Sequence, residues 1–394
     1  MVSGADPTGN DLFPRFSQAE FDRRHRAVCQ AMAREDLECL IVYGGPGAPE
    51  VSYLINYLPA SPCWLVFPRQ GEATIFLHFY NHIPCTRAQA IIDDVRCYGP
   101  APMETLANHL RHRELAQGRI GLVSLNTIAY NHYMDLQRRL PEVEFAEFGR
   151  QYNTIRWVRS EEELVYLRRS GYLTDLTCEA LERQLRPGLS EYDIRSIVVN
   201  AFTRHESDPG IHFIATTNMV EPDRCLPWQR VTPRTITKGS VVVTEITVSY
   251  WGYSTQIHRP FAIAQEPTPL YRELFEVALE CYENVRRLCK PGTTSEEIIA
   301  ATSSIEARGF TTYDSVFHGE RGKSPELGTQ SAWHPLEPWT LKEHMVHVIQ
   351  PNPVTRDLKA GLQLGAAVVV RPDGGEPLHN YPFKFPVCGL DGAV

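Results

Sequence analysis

The chain has 394 residues, of which 43% are apolar and 22% charged, so it is long enough for two globular domains. Its net charge of -8, without a basic stripe, excludes a nucleic-acid binder that relies on bulk electrostatics. No apolar run approaches the ~20 residues that span a bilayer, and residues 1–16 lack the apolar core of a signal peptide. Ten singly scattered cysteines without a CxxC pair are typical of reduced cytoplasmic thiols. We therefore expect a cytoplasmic protein that binds neither membranes nor nucleic acid.

The first part of the chain alternates between helical and strand-like segments. Apolar residues recur at helical spacing over 17–38, and a short apolar run over 39–43 ends at two glycines, as a buried strand does. The other predicted elements are a strand hairpin over 64–68 and 73–77, a helix over 103–116, a strand over 120–124 and a helix over 131–140. Together they predict an N-terminal α/β domain over residues 1–155.

The sequence pattern changes after Arg159. Three glutamates at 161–163 open a predicted long helix that ends near Leu185, since acidic residues are favoured in the first turn of a helix. This long helix is expected to begin a second domain over residues 156–394.

An internal repeat follows this helix. A Pro-Gly turn and a helix start occur together over 187–193 and again over 291–297. In each copy a hydroxyl residue, Ser190 or Thr294, precedes an acid by three positions, which predicts a capping box. Chance is one explanation, because Pro-Gly turns followed by caps occur in many helical proteins. The interpretation we favour is a duplicated unit of two helices and a hairpin.

The most informative segment reads as two strands, 238–246 and 253–261, joined by a tight turn. It resembles the metal-binding hairpin of the creatinase/methionyl-aminopeptidase (pita-bread, M24 peptidase-like) family. The features that carry the resemblance, in the order of that family, are the long helix after Arg159, the two Pro-Gly turns, Lys238-Gly239, His318-Gly319, the run 345–351, and a strand over 362–371 before Gly374-Gly375.

The resemblance covers residues 157–385 and implies a fold. In that family two halves pack their hairpins into one curved antiparallel sheet, with helices outside and a site inside. The expected fold class is therefore α+β, with the N-terminal α/β domain followed by a pita-bread domain that has an internal pseudo-twofold repeat.

The same resemblance implies that the metal site is altered. Metallopeptidases of the family hold two divalent ions with two Asp, one His and two Glu, because closely spaced dications need bridging carboxylates. The five matching positions in this chain are Glu245, Gln256, His318, Gln350 and Gly365. Two amides and a glycine are poor replacements for carboxylates. We therefore expect no metal and no other cofactor.

Creatinase is the family's precedent for a site without metal, yet this chain departs from it as well. The creatinase acid/base histidine falls at Trp228, and its two glutamates fall at His258 and Gln350. Because the carboxylates that hold a guanidinium group are missing, the resemblance does not carry over guanidino substrates.

Histidines are the leading catalytic candidates. His318 and His258 map to one cavity beside Glu245, and an imidazole exchanges a proton near neutral pH without a metal. Glu245 would orient one of them or act as base itself. The alternative is that His258 only packs in a strand and that His318 is a relic held by a hydrogen bond.

Four other side chains are candidates for substrate binding. Gln256 and Gln350 suit a neutral or zwitterionic molecule, because an amide both donates and accepts hydrogen bonds. Arg321 would clamp a carboxylate, and Trp228 would form an apolar or cation–π wall. The alternatives are amides that merely fill vacated metal space, an arginine in solvent and a tryptophan in the core.

The favoured hypothesis is a metal-independent hydrolase or lyase that acts on a C–N or related polar bond of a small metabolite. A homodimer is expected from the resemblance. One alternative is an Xaa-Pro-type metallopeptidase with an atypical site at Glu245 and His318. Another is a non-catalytic pseudo-peptidase binding module.

Overall fold

The computed structural model describes residues 12–205, 208–319 and 339–390. The chain divides into two compact units, Met1–Arg156 and Trp157–Val394. The sequence predicted this boundary one residue earlier. Each unit has a sheet and hydrophobic clusters of its own.

The first unit is an α/β domain. Its strands are β1 (Leu37–Gly44), β2 (Cys63–Pro68), β3 (Thr74–Leu77), β4 (Val95–Cys97), β5 (Gly118–Val123) and β6 (Val143–Glu147). The helices up to the boundary are α1 (Gln18–Arg34), α2 (Pro49–Ile55), α3 (Ile83–Gln89), α4 (Pro102–His112), α5 (Tyr130–Arg139) and α6 (Gly149–Trp157). The sheet has the order β4-β3-β2-β1-β5-β6, and only β2 runs antiparallel to its neighbours. The predicted hairpin is the β2–β3 pair.

Helix α1 begins as predicted and ends earlier. The Ser17 side chain accepts a hydrogen bond from the backbone N–H of Glu20, which caps the first turn. The helix ends at Arg34 because Asp36 has a φ of 54°, in the left-handed region that a helix cannot continue through. The prediction of a helix to residue 38 was wrong for this reason.

The second unit is built around an antiparallel sheet. Its helices are α7 (Glu161–Gln184), α8 (Glu191–Phe202), α9 (Pro269–Leu288), α10 (Ser295–Ala301) and α11 (Ser303–Ala307). Its strands are β7 (Asp208–Asn218), β8 (Ser240–Tyr250), β9 (Tyr253–Ile263), β10 (Thr311–Thr312), β11 (Phe317–Gly319), β12 (Val346–Ile349), β13 (Pro353–Val354), β14 (Gly365–Arg371), β15 (Gly374–Pro377) and β16 (Val387–Cys388). The main order, β11-β12-β14-β9-β8-β7, places two three-stranded halves side by side at β14 and β9. Strand β15 adds to β14, β16 adds to β9, and β10 pairs with β13.

The two halves repeat each other in detail. Gly188 donates its backbone N–H to the carbonyl of Ile236 at 2.9 Å, and Gly292 donates in the same way to Leu341 at 2.8 Å. Both glycines have positive φ, 96° and 91°, which the second residue of these Pro-Gly turns requires. The duplicated unit predicted from the sequence is therefore present.

Both predicted capping boxes are also present. The side chain of Ser190 accepts from the N–H of Asp193, whose carboxylate accepts from the N–H of Ser190. Thr294 and Glu297 make the same reciprocal pair at the start of α10. These caps fix where α8 and α10 begin, directly after the two turns.

Helices α7 and α8 cover one face of the β8–β9 hairpin. Apolar side chains of the helices, such as Leu181 and Ile194, cluster there with Val242, Ile246 and Ile257 of the strands. Because successive strand residues point to opposite faces, the neighbouring residues of β8 and β9 point away from these helices. That second face carries the candidate site.

No helix within the three described segments combines the length and the apolar character needed to cross a membrane.

Candidate functional site

Strand pairing brings three of the predicted positions into one row. Glu245 of β8 lies directly opposite His258 of β9, and His258 lies opposite Gly365 of β14. Directly opposed residues of antiparallel strands point to the same face of a sheet. The row continues to Phe213 of β7, the partner of Glu245 on its other side.

Glu245 is buried, 9% exposed, and its carboxylate is held by amides. Gln256 donates its side-chain N–H to Oε1 at 2.6 Å, and Gln363 donates to Oε2 at 3.4 Å. Burial, together with the negative charge of nearby Asp314, raises the pKa of Glu245 to about 7, although the two amide hydrogen bonds oppose the shift. The group can therefore exchange a proton near neutral pH.

His258 is completely buried beside Glu245. Among the described residues neither of its ring nitrogens makes a hydrogen bond of ordinary geometry. Burial, with the positive charges of His318 and Arg259, keeps the pKa of His258 well below its usual value, although the nearby Gln350 amide favours the charged form. At neutral pH the ring is uncharged, with one donor and one acceptor.

The ring of His318 lies between two acceptor oxygens. Its Nδ1 lies 2.7 Å from the carbonyl of Gly319, and its Nε2 lies 3.1 Å from Oε1 of Gln350. Gln350 in turn donates its side-chain N–H to the carbonyl of Ser315 at 3.0 Å, which fixes which end of the amide faces His318. Both ring nitrogens thus face acceptors, an arrangement that suits a ring donating from both.

The loop before β11 is locked by Asn352. Its side chain donates to the carbonyls of Asp314 and Ser315, at 3.2 and 3.0 Å, and to that of Gln350 at 3.1 Å. Its Oδ1 accepts the backbone N–H of Asp314 at 3.1 Å. These bonds hold Asp314 and Gln350 in place near Glu245 and His318.

Gly365 lies where the backbone of Ile349 and Gln350 approaches it closely. A Cβ placed on it would lie 2.1 Å from the carbonyl oxygen of Ile349 and 2.8 Å from Cα of Gln350. Real Cβ atoms do not approach backbone atoms so closely. The position matched to a family glutamate is therefore closed to any larger side chain unless the two strands separate.

These residues do not fit a dinuclear metal site. No group of three or more His, Cys, Asp or Glu side chains suited to holding a metal occurs in residues 12–205, 208–319 and 339–390. The oxygens of Glu245 are hydrogen-bonded to amides, and Gly365 contributes no ligand. The donor set lacks the bridging carboxylates that two dications require.

One of the predicted substrate-binding residues, Trp228, is not brought to this row. The backbone of Trp228 forms a β-bridge with Ile214 at the edge of the sheet. Ile214 is the residue after Phe213, the partner of Glu245, so Trp228 is displaced by one residue from the row of Glu245. The residue is 45% exposed, and its ring lies under the guanidinium of Arg224 at 3.7 Å. Arg321 lies outside the described residues.

Sequence reasoning missed Gln363. It is 1% exposed, donates to Glu245, and its Oε1 has no hydrogen-bond partner among the described residues. The available signal was strand alternation: Gln363 precedes Gly365 by two positions, between Leu362 and Leu364, which pack in the core.

The arrangement combines a carboxyl group that titrates near neutrality, an uncharged histidine and a second histidine facing acceptors. Amides of Gln256, Gln350 and Gln363 surround these groups. Such a site can accept and donate protons and hydrogen-bond a polar ligand, with no fixed cation on the described side chains that line it.

Comparison with known families gives two matches along the chain. The model of metallopeptidase family M24 matches residues 165–372. The creatinase/prolidase N-terminal domain matches residues 24–160. The two matches correspond to the second and the first unit.

Two curated relatives illustrate the range of the similarity. A creatinase from a Bacillus species is 20% identical over 400 residues, which cover 95% of this chain and 94% of the relative. The Xaa-Pro aminopeptidase of Escherichia coli is 26% identical over 184 residues, which cover 46% of this chain and 40% of that protein.

Solved structures agree on the fold. An X-Pro aminopeptidase from Thermotoga maritima matches with a TM-score of 0.80 at 16% identity, over 92% of this chain and 99% of that one. A prolidase from Pyrococcus horikoshii matches with a TM-score of 0.76 at 17% identity, over 91% and 99%. The predicted fold class, an N-terminal α/β domain followed by a pita-bread domain, is confirmed.

Proposed function

The chain belongs to metallopeptidase family M24, and from this premise we propose a metal-independent hydrolase or lyase that acts on a C–N or related polar bond of a small metabolite. That the chain is an enzyme of the hydrolase type follows from its relatives. Metal independence and a small-metabolite substrate are the parts that we propose beyond what the relatives support.

One observation carries the proposal. The carboxylate that would anchor a metal, Glu245, is bound on both oxygens by neutral amides of Gln256 and Gln363. A metal bound there would have to displace these donors, and Gly365 leaves no room for a further carboxylate. The chemistry that remains is proton transfer by side chains.

The proposed roles follow from the surroundings of each group. His318, whose two nitrogens face acceptors, suits proton donation to a leaving nitrogen. Glu245 titrates near neutrality and suits proton abstraction, and the uncharged ring of His258 suits a hydrogen bond that orients the attacking water or relays its proton. In the hydrolytic form, a water molecule would lose a proton to Glu245 as its oxygen attacks the carbon.

The amides would supply binding and electrophilic assistance. Gln256 is hydrogen-bonded to Glu245, and Gln350 is hydrogen-bonded to His318. Both amides are therefore already oriented when they contact a substrate. Without a metal to polarise a carbonyl, such hydrogen bonds must stabilise the charge that develops in the transition state. We leave Trp228 out of this site, because it lies at the sheet edge one residue out of step with Glu245.

The test combines metal analysis with one substitution. Protein purified without chelator should contain less than about a tenth of an equivalent of Mn, Fe, Co, Zn or Ni per chain. With a substrate found by screening small C–N compounds in EDTA, His318→Ala should reduce turnover roughly 10²- to 10⁴-fold. About one equivalent of metal, or near-full activity of the variant, would overturn the proposal.

A second candidate is an Xaa-Pro peptidase with an atypical metal site at Glu245 and His318. The observation that favours it is the similarity to Xaa-Pro aminopeptidases and dipeptidases. Metal-stimulated cleavage of an Xaa-Pro dipeptide, lost on treatment with EDTA, would decide for this candidate. A binding module without catalysis is the third, and retention of a ligand without any turnover would identify it.

Cytoplasmic location and a homodimer remain expectations. Analytical ultracentrifugation of the full chain would test the second, with a mass of twice 44.7 kDa as the expected result.

A further inference from the structure

The candidate site contains buried polar atoms that the described protein leaves without partners. Both ring nitrogens of His258 and the Oε1 of Gln363 are in this state, on side chains that are 0% and 1% exposed. Leaving a buried polar group unpaired is unfavourable, so we expect a ligand group or an ordered water molecule next to these atoms.

Both side chains lie next to Glu245. His258 is the cross-strand partner of Glu245, and the amide of Gln363 lies 3.4 Å from the Glu245 carboxylate. His258 is also opposite Gly365, two residues beyond Gln363 on the same face. A group of two or three heavy atoms bound next to Glu245 would therefore meet both.

We propose that the space next to Glu245 binds a neutral amide-type group, a carboxamide or ureido group, of the ligand. The inference deepens the function proposed above and rests on it, since it names the class of polar bond that the site holds. The ligand N–H would donate to Oε1 of Gln363, and its carbonyl oxygen would accept from the ring N–H of His258.

The available atoms argue against other polar groups. An uncharged imidazole has one donor and one acceptor, and Oε1 of Gln363 is an acceptor only. A carboxylate, which only accepts, would leave Gln363 unpaired and would lie near the negative charges of Glu245 and Asp314. An ammonium group, which only donates, would leave the N–H of His258 unpaired. An amide both donates and accepts, so it can pair with Oε1 of Gln363 and with a ring nitrogen of His258.

The experiment uses three small probes of nearly the same shape: propionamide, propionate and propionamidinium. Binding of each to the full-length protein is measured by ligand-observed NMR titration. Propionamide should bind roughly tenfold or more tightly than either charged probe, because each of those leaves buried polar atoms unpaired. Equal binding of the three, preference for a charged probe, or no binding of propionamide would overturn the inference.

Two variants locate the binding. His258→Phe and Gln363→Met remove the polar atoms at similar volume, and each should weaken propionamide binding to the level of the charged probes. Gln184→Met, the same change at the exposed end of α7, should leave it unchanged. If His258→Phe does not fold, Gln363→Met alone decides, and unchanged binding to a folded Gln363→Met protein would refute the assignment.

These outcomes are separate from those for catalysis. Selective amide binding that is lost in the variants supports the inference even if no compound is turned over, in which case the proposed hydrolysis fails alone. Turnover of a substrate without an amide or ureido group, with no propionamide binding, would refute the inference and leave the hydrolase proposal standing.

Discussion

Two buried glutamates of the second unit, Glu191 and Glu245, have surroundings of opposite kinds. Glu191 is fully buried at the start of α8 and accepts four hydrogen bonds. They come from Arg224 at 2.9 Å, from the Thr216 hydroxyl at 2.8 Å, and from the N–H and hydroxyl of Thr232 at 2.6 and 2.7 Å. Among the residues that the structure describes, Glu245 accepts only from two amides and has no cation beside it.

The difference separates a structural carboxylate from a reactive one. The cation and three further donors stabilise the charge of Glu191, and the bonds tie the long β7–β8 connection to the start of α8. Glu245 lacks that compensation, so burial raises its pKa to about 7. Burial alone therefore does not identify a functional acid, and the number and charge of its donors do.

The largest effect is expected from Glu191→Ala. Arg224, whose side chain is 9% exposed, would be left buried without its carboxylate, and Thr232 would lose two bonds. Removing one partner of a buried ion pair costs about 3–5 kcal/mol. Urea unfolding should show a loss of this size in the free energy of unfolding.

The matched control is Glu161→Ala, at the equivalent first position of helix α7. The side chain of Glu161 is 61% exposed and pairs with Arg371 at 3.1 Å. Surface pairs of this kind contribute at most about 1 kcal/mol. If both variants lose the same amount of stability, the ion pair and hydrogen bonds of Glu191 contribute no more to stability than a surface pair does.

A smaller effect, visible only as a dependence on pH, is expected from Glu245→Gln. The folded-state pKa of Glu245, about 7, exceeds the ordinary value of 4.5, so the folded protein binds the proton more tightly than the unfolded chain. The stability from this proton is fully present below pH 4.5 and is lost as the pH rises through about 7. Glutamine stays neutral and does not show this loss.

Relative to the wild type, Glu245→Gln should therefore become more stable as the pH rises, by up to about 3 kcal/mol. Urea unfolding of both proteins at pH 5 and pH 8 measures this, and taking the difference removes the contributions of all other titrating groups. A difference that is the same at both pH values would show that Glu245 behaves as an ordinary acid.

The smallest effect is expected from Gly365→Ala, which tests whether Glu245 could regain a carboxylate neighbour. The new Cβ would meet the carbonyl oxygen of Ile349 at 2.1 Å, so β14 and β12 must move apart. Overpacking of this kind costs about 1–3 kcal/mol. Gly45→Ala, where a Cβ meets nothing within 4 Å, is the control and should change stability by no more than about 0.5 kcal/mol. Equal results for the two would mean that position 365 is open to larger side chains.

Local features of the fold were readable from the sequence because local interactions determine them. The capping boxes at Ser190 and Thr294, the two Pro-Gly turns and the β8–β9 hairpin each depend on residues a few positions apart. The order of these features, together with the resemblance, was sufficient for the pita-bread prediction. The end of α1 could not be predicted from the sequence, because nothing in the composition requires Asp36 to adopt a positive φ.

The sequence by itself determined the family pattern and predicted which of its ligand positions are altered, since each is one residue read against that pattern. Only the tertiary structure decided which side chains meet. Gln363 reaches Glu245 across 118 positions, Trp228 lies one residue out of step with the row of Glu245, and Gly365 is closed by the backbone of Ile349. The physical reason is that strand register and close backbone approach depend on pairing between distant segments, which no local pattern specifies.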